Sequence, residues 1–190
     1  MKRLTICLLL LLSFATFADQ STFGCGHWLS PFKKFCHRLD QIITEGNTDL
    51  YFTGYAWHNR FTYDKEKARH FNETAWGGGI GKGFFDEKGN YHQLSIITFL
   101  DSHSSFEPTA GYSYLKVANL TQNLKAGLGY SLFLTSRADI IHRIPFPGLL
   151  PWASIFYKKI TLSATYIPGT TGDQPNGNVL FILAKYTLDA

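Results

Sequence analysis

At 190 residues the chain has room for one domain of ordinary size and a short extension, and too little for several domains. Its formal charge of +4 includes Lys2 and Arg3, which fall in an expected leader; the remaining 16 basic residues face 14 acidic ones. A bias that small excludes a surface built for nucleic acid.

Lys2 and Arg3 precede an apolar run from Leu4 to Leu12, and the small residues Thr16 and Ala18 suit cleavage after Ala18. Residues 1–18 therefore read as a secretory signal peptide. The run falls short of the roughly 20 residues of a spanning helix, so an uncleaved anchor is the poorer reading. Cys7 leaves with the leader, and Cys25 and Cys36 enter a compartment where disulfides form; a bonded pair and two free thiols both fit the sequence. Thr22-Phe23-Gly24 ahead of Cys25 does not make a lipoprotein signal.

The segment 19–46 carries one amphipathic helix over 28–43. Trp28, Phe32, Phe35, Leu39, Ile42 and Ile43 share a face, with Lys33, Lys34, His37 and Arg38 largely opposite. Ser30-Pro31 is a sound helix start. Such a helix suits a membrane interface or the surface of a soluble core.

From residue 49 onward the period changes to two, within a barrel domain expected over 47–190. Eight strands are expected, at about 49–62, 75–86, 91–101, 106–117, 122–135, 149–158, 160–168 and 178–188. Short turns at 87–90, 118–121 and 157–159 alternate with longer loops at 63–74, 136–148 and 169–177; the loop around His103 to Ser105 is the short exception. That alternation predicts an all-β, eight-stranded antiparallel transmembrane barrel preceded by the helix. In the fifth strand Leu124, Ala126, Leu128, Tyr130, Leu132 and Leu134 should meet lipid, with Lys125, Gly127, Gly129 and Ser131 inside. The seventh repeats this with Ile160, Leu162, Ala164 and Tyr166 outward. Tyr51, Tyr55, Trp57, Tyr112, Tyr114, Trp152 and Tyr186 are expected near or within outward registers, as aromatic girdles. The competing architecture is a soluble lipocalin-type barrel with its apolar face inward. Small residues recur on the expected inner faces, at Gly77, Gly79, Gly81 and Gly83, then Gly111 and Ser113. They leave room for a ligand or relieve strand bending.

The Gly77–Gly83 run is no phosphate loop, because glycine follows Lys82 where a hydroxyl residue is needed and no helix follows. His58, His70, His92, His103 and His142 lack metal-ligand spacing, so no metal site is expected. Acyl transfer needs a hydroxyl, a base and often a carboxylate. Asp101-Ser102 closes the third strand and His58 the first, both at the long-loop end, so the three have access to one rim; on spacing alone they read equally as turn and interfacial residues.

At these residues the chain resembles the PagP family of lipid A palmitoyltransferases over nearly the whole mature sequence. The resemblance rests on Trp57-His58-Asn59-Arg60-Phe61, Tyr63-Asp64-Lys65-Glu66-Lys67, Trp76-Gly77-Gly78-Gly79, Asp86-Glu87-Lys88-Gly89-Asn90, Asp101-Ser102, Glu107-Pro108, Leu149-Leu150-Pro151, Tyr166-Ile167-Pro168-Gly169-Thr170 and Asn176-Gly177-Asn178-Val179. It implies an outer-membrane barrel that moves palmitate from the sn-1 position of a glycerophospholipid to lipid A, without cofactor or metal. His58, Asp101 and Ser102 match the family's active-site residues. Under that resemblance His58 is the general base, Asp101 orients or supports it, and Ser102 is nucleophile or polar stabiliser.

The family measures its acyl chain against a small residue, usually glycine, at the pocket floor; here Ser113 stands there, beside Gly111, so chain length need not be that of palmitate. Pro151 and Pro168 match one of the family's two proline pairs, which open lateral routes for lipid. Thr53 and Ala75 replace the other pair, so that route is expected to be narrower. A closed barrel has no free edge, which favours a monomer. The rival function is a non-catalytic outer-membrane barrel for structure or adhesion.

Overall fold

The computed structural model describes residues 24–27, 29–61, 72–138, 141–169 and 178–188. The expected signal peptide, Trp28, His70, Asp139, Thr170, the Tyr63–Lys67 motif and Asn176-Gly177 lie outside the described residues. The chain divides into two compact units, Met1–Thr44 and Glu45–Ala190.

In the first unit a 3-10 turn at Cys25–His27 leads to helix α1, Ser30–Glu45, whose last residue is already the first of the second unit. Pro31 sits where its missing N–H is of no consequence, and the helix runs past the expected residue 43 until Gly46 stops it. Leu29, Phe32, Phe35 and Ile43 are exposed while Cys36 is fully buried. Cys36 is bonded to Cys25, with Cα atoms 5.7 Å apart, which settles the two open readings in favour of a disulfide. Among the described residues no helix is long and apolar enough to cross a membrane.

The second unit is a closed antiparallel barrel of β1 (Asn47–His58), β2 (Gly77–Phe85), β3 (Tyr91–Leu100), β4 (Phe106–Asn119), β5 (Leu124–Thr135), β6 (Phe146–Tyr157), β7 (Ile160–Ile167) and β8 (Val179–Thr187), each paired with the next and β8 with β1. One end carries tight turns. At the first of them the Asp86 carboxylate accepts the backbone N–H of Lys88 and Asn90, and Gly89 takes a φ of 78°. Connections at the opposite end are longer, except 101–105.

The outer face is apolar. Phe52, Ile80, Ile96, Leu128, Leu132, Leu149, Ile155 and Leu162 are all exposed, while Ser131, Ser154, Thr161, Ser163 and Thr165 are buried inside. That is the polarity of a barrel that meets lipid, and the reverse of a soluble one. The expected faces of the fifth and seventh strands hold throughout.

Two aromatic placements differ from expectation. Tyr51 points inward and is buried, because the register with β8 shifts between Thr53 and Tyr55 and so reverses the faces of β1 at that point. Trp152 shares the inner face of β6 with Ser154 and Phe156 and packs against both buried clusters. Inside, Tyr51, Leu115, Trp152 and Leu183 fill the middle of the barrel. Toward the tight-turn end the buried Asp49 accepts from Lys185 (2.9 Å), Tyr91 (2.9 Å) and Thr187 (2.6 Å), so that the buried charges are paired and hydrogen-bonded.

Candidate active site

The bulge that turns Tyr51 inward also aims His58. Tyr51 and Thr53 face the interior before the shift, Ala56 and His58 after it; without it His58 would share the outward face of Leu50 and Phe52. Gly54 marks the bulge, although a side chain there would meet nothing within 4 Å. His58 thus ends β1 as a buried ring at the long-loop end.

The connection between β3 and β4 brings the second group. The buried Asp101 turns its Oδ1 onto the backbone N–H of His103 and Ser105, each at 2.8 Å, and its own N–H donates to the carbonyl of Ser105. This tight loop, with Ser104 at a φ of 61°, presents Ser102 so that its Oγ lies 2.9 Å from His58 Nε2. The structure therefore joins His58 and Ser102 directly and places Asp101 beside them, engaged with its own loop.

A group that the sequence did not single out lies on the other side of the ring. Glu73, between the first loop and β2, has Oε1 at 3.5 Å from His58 Nδ1 and accepts the His58 backbone N–H at 3.2 Å. Arg60 donates to both of its carboxylate oxygens at 2.8 Å. Only the antiparallel pairing of β1 with β2 carries Glu73 back to His58, and no local pattern in the sequence marks it.

The His58–Ser102 pair opens on a cavity of about 420 Å³ inside the barrel. This is within the range of roughly 300–1,000 Å³ typical of ligand pockets. Asp101, His103, Glu107 and Arg137 stand among its polar lining, Glu107 accepting from Thr135 at 2.8 Å and approaching Arg137 at 3.6 Å. Phe99, Phe133 and Phe181 add an apolar lining. Gly148 makes room for the Phe133 ring, since a Cβ there would lie 2.4 Å from its Cζ, and Gly111 similarly adjoins the Phe133 backbone. Ser113 and Gly111 do not line the cavity. Ser113 sits two residues nearer the tight-turn end, fully buried and hydrogen-bonded to Ser131 at 3.0 Å.

The cavity reaches the barrel wall between β6 and β7. Their ladder begins only at Trp152↔Thr165, so Phe146–Pro151 pairs with β5 alone, and Phe146, Gly148, Leu149, Leu150, Ile167 and Pro168 edge the cavity. Thr165 donates its hydroxyl to the Pro151 carbonyl at 2.7 Å, satisfying an acceptor that the missing ladder would leave bare. Between β1 and β2 the ladder also stops early, at Thr53↔Gly77. There the interval is bridged: Thr53 donates its hydroxyl to the Ala75 carbonyl at 2.6 Å and the Ala56 N–H to the Glu73 carbonyl at 2.9 Å.

With this geometry in place, comparison with known proteins is informative. Residues 38–185 match the family model described as "Antimicrobial peptide resistance and lipid A acylation protein PagP". This chain belongs to the PagP family. A relative in Legionella longbeachae, a lipid A acyltransferase, is 60% identical over 90% of this chain and 74% of its own length. Another, from Legionella pneumophila, is 53% identical over 99% of this chain and 100% of its own. One from Bordetella parapertussis is 49% identical over 91% of this chain and 93% of its own. All three carry the description "Lipid A acyltransferase PagP". Family membership accords with the barrel and with the expectation drawn from the motifs around His58 and Asp101-Ser102.

Proposed function

We propose that this member of the PagP family is an acyltransferase of the outer membrane that moves a palmitoyl or similar-length chain from the sn-1 position of a glycerophospholipid to lipid A. One observation carries the reading. A histidine and a serine 2.9 Å apart stand at the mouth of an apolar cavity that communicates with the lipid-facing wall between β6 and β7. A donor lipid enters through that gap, past Pro151 and Pro168, and lays one acyl chain in the cavity with its ester at His58.

His58 is the general base. Its Nε2 takes the proton of the attacking hydroxyl and returns it to the lysophospholipid oxygen as the donor ester breaks, so that one ester replaces another with no net proton change. No nucleotide or metal takes part. Asp101 supports the reaction by fixing the loop that presents Ser102. Ser102 serves either as the acyl-carrying nucleophile or as a hydroxyl that stabilises charge while lipid A attacks directly. Ser102→Ala separates these routes. A loss as deep as that of His58→Ala marks acyl-serine chemistry, and a substantial residual rate marks direct transfer.

Phe133 lines the cavity and Ser113 does not, which supports a reading in which that ring, before Ser113, limits chain length. The test of the function is lipid A extracted from cells with the wild-type gene, the His58→Ala gene and neither. Only the first should gain one acyl mass; equal lipid A in all three would overturn the reading.

A further inference from the structure

We infer that Asn72 and Glu73 form a clasp that positions the reacting pair, with Glu73 as the carboxylate that sets the tautomer of His58. The inference rests on the acyl-transfer reading and concerns the same site.

For His58 Nε2 to accept the Ser102 proton it must be unprotonated, which in the neutral ring puts the hydrogen on Nδ1. Nδ1 faces Glu73 Oε1 at 3.5 Å, an electrostatic contact longer than a hydrogen bond. An acceptor on that side favours the required tautomer and stabilises the imidazolium that forms as the proton moves. Glu73 is itself restrained from three directions: both oxygens take Arg60, Oε1 takes the His58 backbone N–H, and its carbonyl takes the Ala56 N–H. The neighbouring residue holds the other partner. Asn72 donates its backbone N–H to the Ser102 carbonyl at 3.0 Å and its side-chain amide to Ser104 Oγ at 3.1 Å. Two consecutive residues thus tie the end of β1 to the loop after β3 and fix the 2.9 Å separation from both sides. Asp101, the carboxylate nearer in sequence to Ser102, has Oδ1 turned onto the backbone of its own loop. Glu73 is therefore a positioning residue that acts through His58.

The test is the rate of acyl transfer against pH, in detergent, with a defined phospholipid donor and purified lipid A, for the wild type, Glu73→Gln, Glu73→Asp and His58→Ala. Rates are counted per folded barrel, read from its slower migration after boiling. Charged and titratable groups around the imidazole are Glu73 and Arg60 on one side, Asp101 and His103 on the loop, and Glu107 and Arg137 across the cavity. Of these, only Glu73 changes between the wild type and the two Glu73 variants. Glu73→Gln should lower kcat by roughly 10–100-fold with KM little changed. The acid limb of its profile should move to lower pH, because a carboxylate beside the ring favours the protonated form and an amide does not. Glu73→Asp should recover part of both. Unchanged kcat and acid limb in Glu73→Gln, while His58→Ala is inactive, would overturn this role alone, as would a loss explained wholly by fewer folded barrels. No transfer by the wild type would overturn the functional reading and this role with it.

Discussion

Phe133 is the residue we propose as the stop for the acyl chain. Its ring lines the cavity in a space that Gly148 leaves open, and Ser113 is not among the lining residues. Phe133→Ala should extend the cavity and shift transfer toward longer chains, at a cost in stability of about 3 kcal/mol, the low end for loss of an interior aromatic side chain. Ser113→Gly with Phe133 intact should leave chain length unchanged. Mass spectrometry of products from a mixture of donor chain lengths checks both, and a shift with Ser113→Gly alone would return the floor to that residue. Asp49 poses a different question at the same scale. It and Lys185 are both buried and 2.9 Å apart, so removing one charge strands the other. Asp49→Ala should cost about 3–5 kcal/mol in denaturant unfolding, and pairing it with Lys185→Met should recover part of that loss.

Among the elements, β6 is the one along which the cavity meets the barrel wall, where the proposed donor lipid enters. Its second half pairs on both sides, while Phe146–Pro151 pairs with β5 alone, and the cavity opens along that unpaired edge. Prolines at 147 and 151 are compatible with this edge because they have no donor to contribute to a ladder. The β1–β2 interval lacks prolines, and Thr53 bridges it by a side-chain hydrogen bond, so the proposed lipid entry is assigned to the β6–β7 gap. Helix α1 has its own restraint. The Cys25–Cys36 bond closes a loop with a sequence separation of 11. By loop-closure entropy such a bond contributes up to about 3 kcal/mol to the order of the segment. Cys25→Ser should make residues 24–45 more sensitive to protease while the barrel keeps its heat-modifiable migration; equal protection with and without the bond would contradict this.

For the whole molecule, the sequence carried the architecture well where one face of a strand was apolar and the other small or polar. Alternation in β5 and β7 was enough to orient both. It failed at Tyr51, because a bulge reverses the faces within β1, and at Trp152, because β6 carries apolar residues on both faces and its parity is ambiguous. Pro147-Gly148 also made the start of β6 look like loop. Phe133 was within reach, being the next inward step after Lys125, Gly127, Gly129 and Ser131. At the site, His58 and Ser102 were legible from their motifs and from the strand ends they occupy. Glu73 was not, since it approaches His58 only through strand pairing.

All of these features serve one proposition, that the barrel transfers an acyl chain to lipid A at His58. The most direct measurement is the mass spectrum of lipid A from otherwise identical cells expressing the wild-type or the His58→Ala protein at equal levels of folded barrel. Transfer at His58 predicts a species heavier by one acyl chain with the wild type and none with the variant. The same heavier species from His58→Ala, or its absence from both, would contradict it.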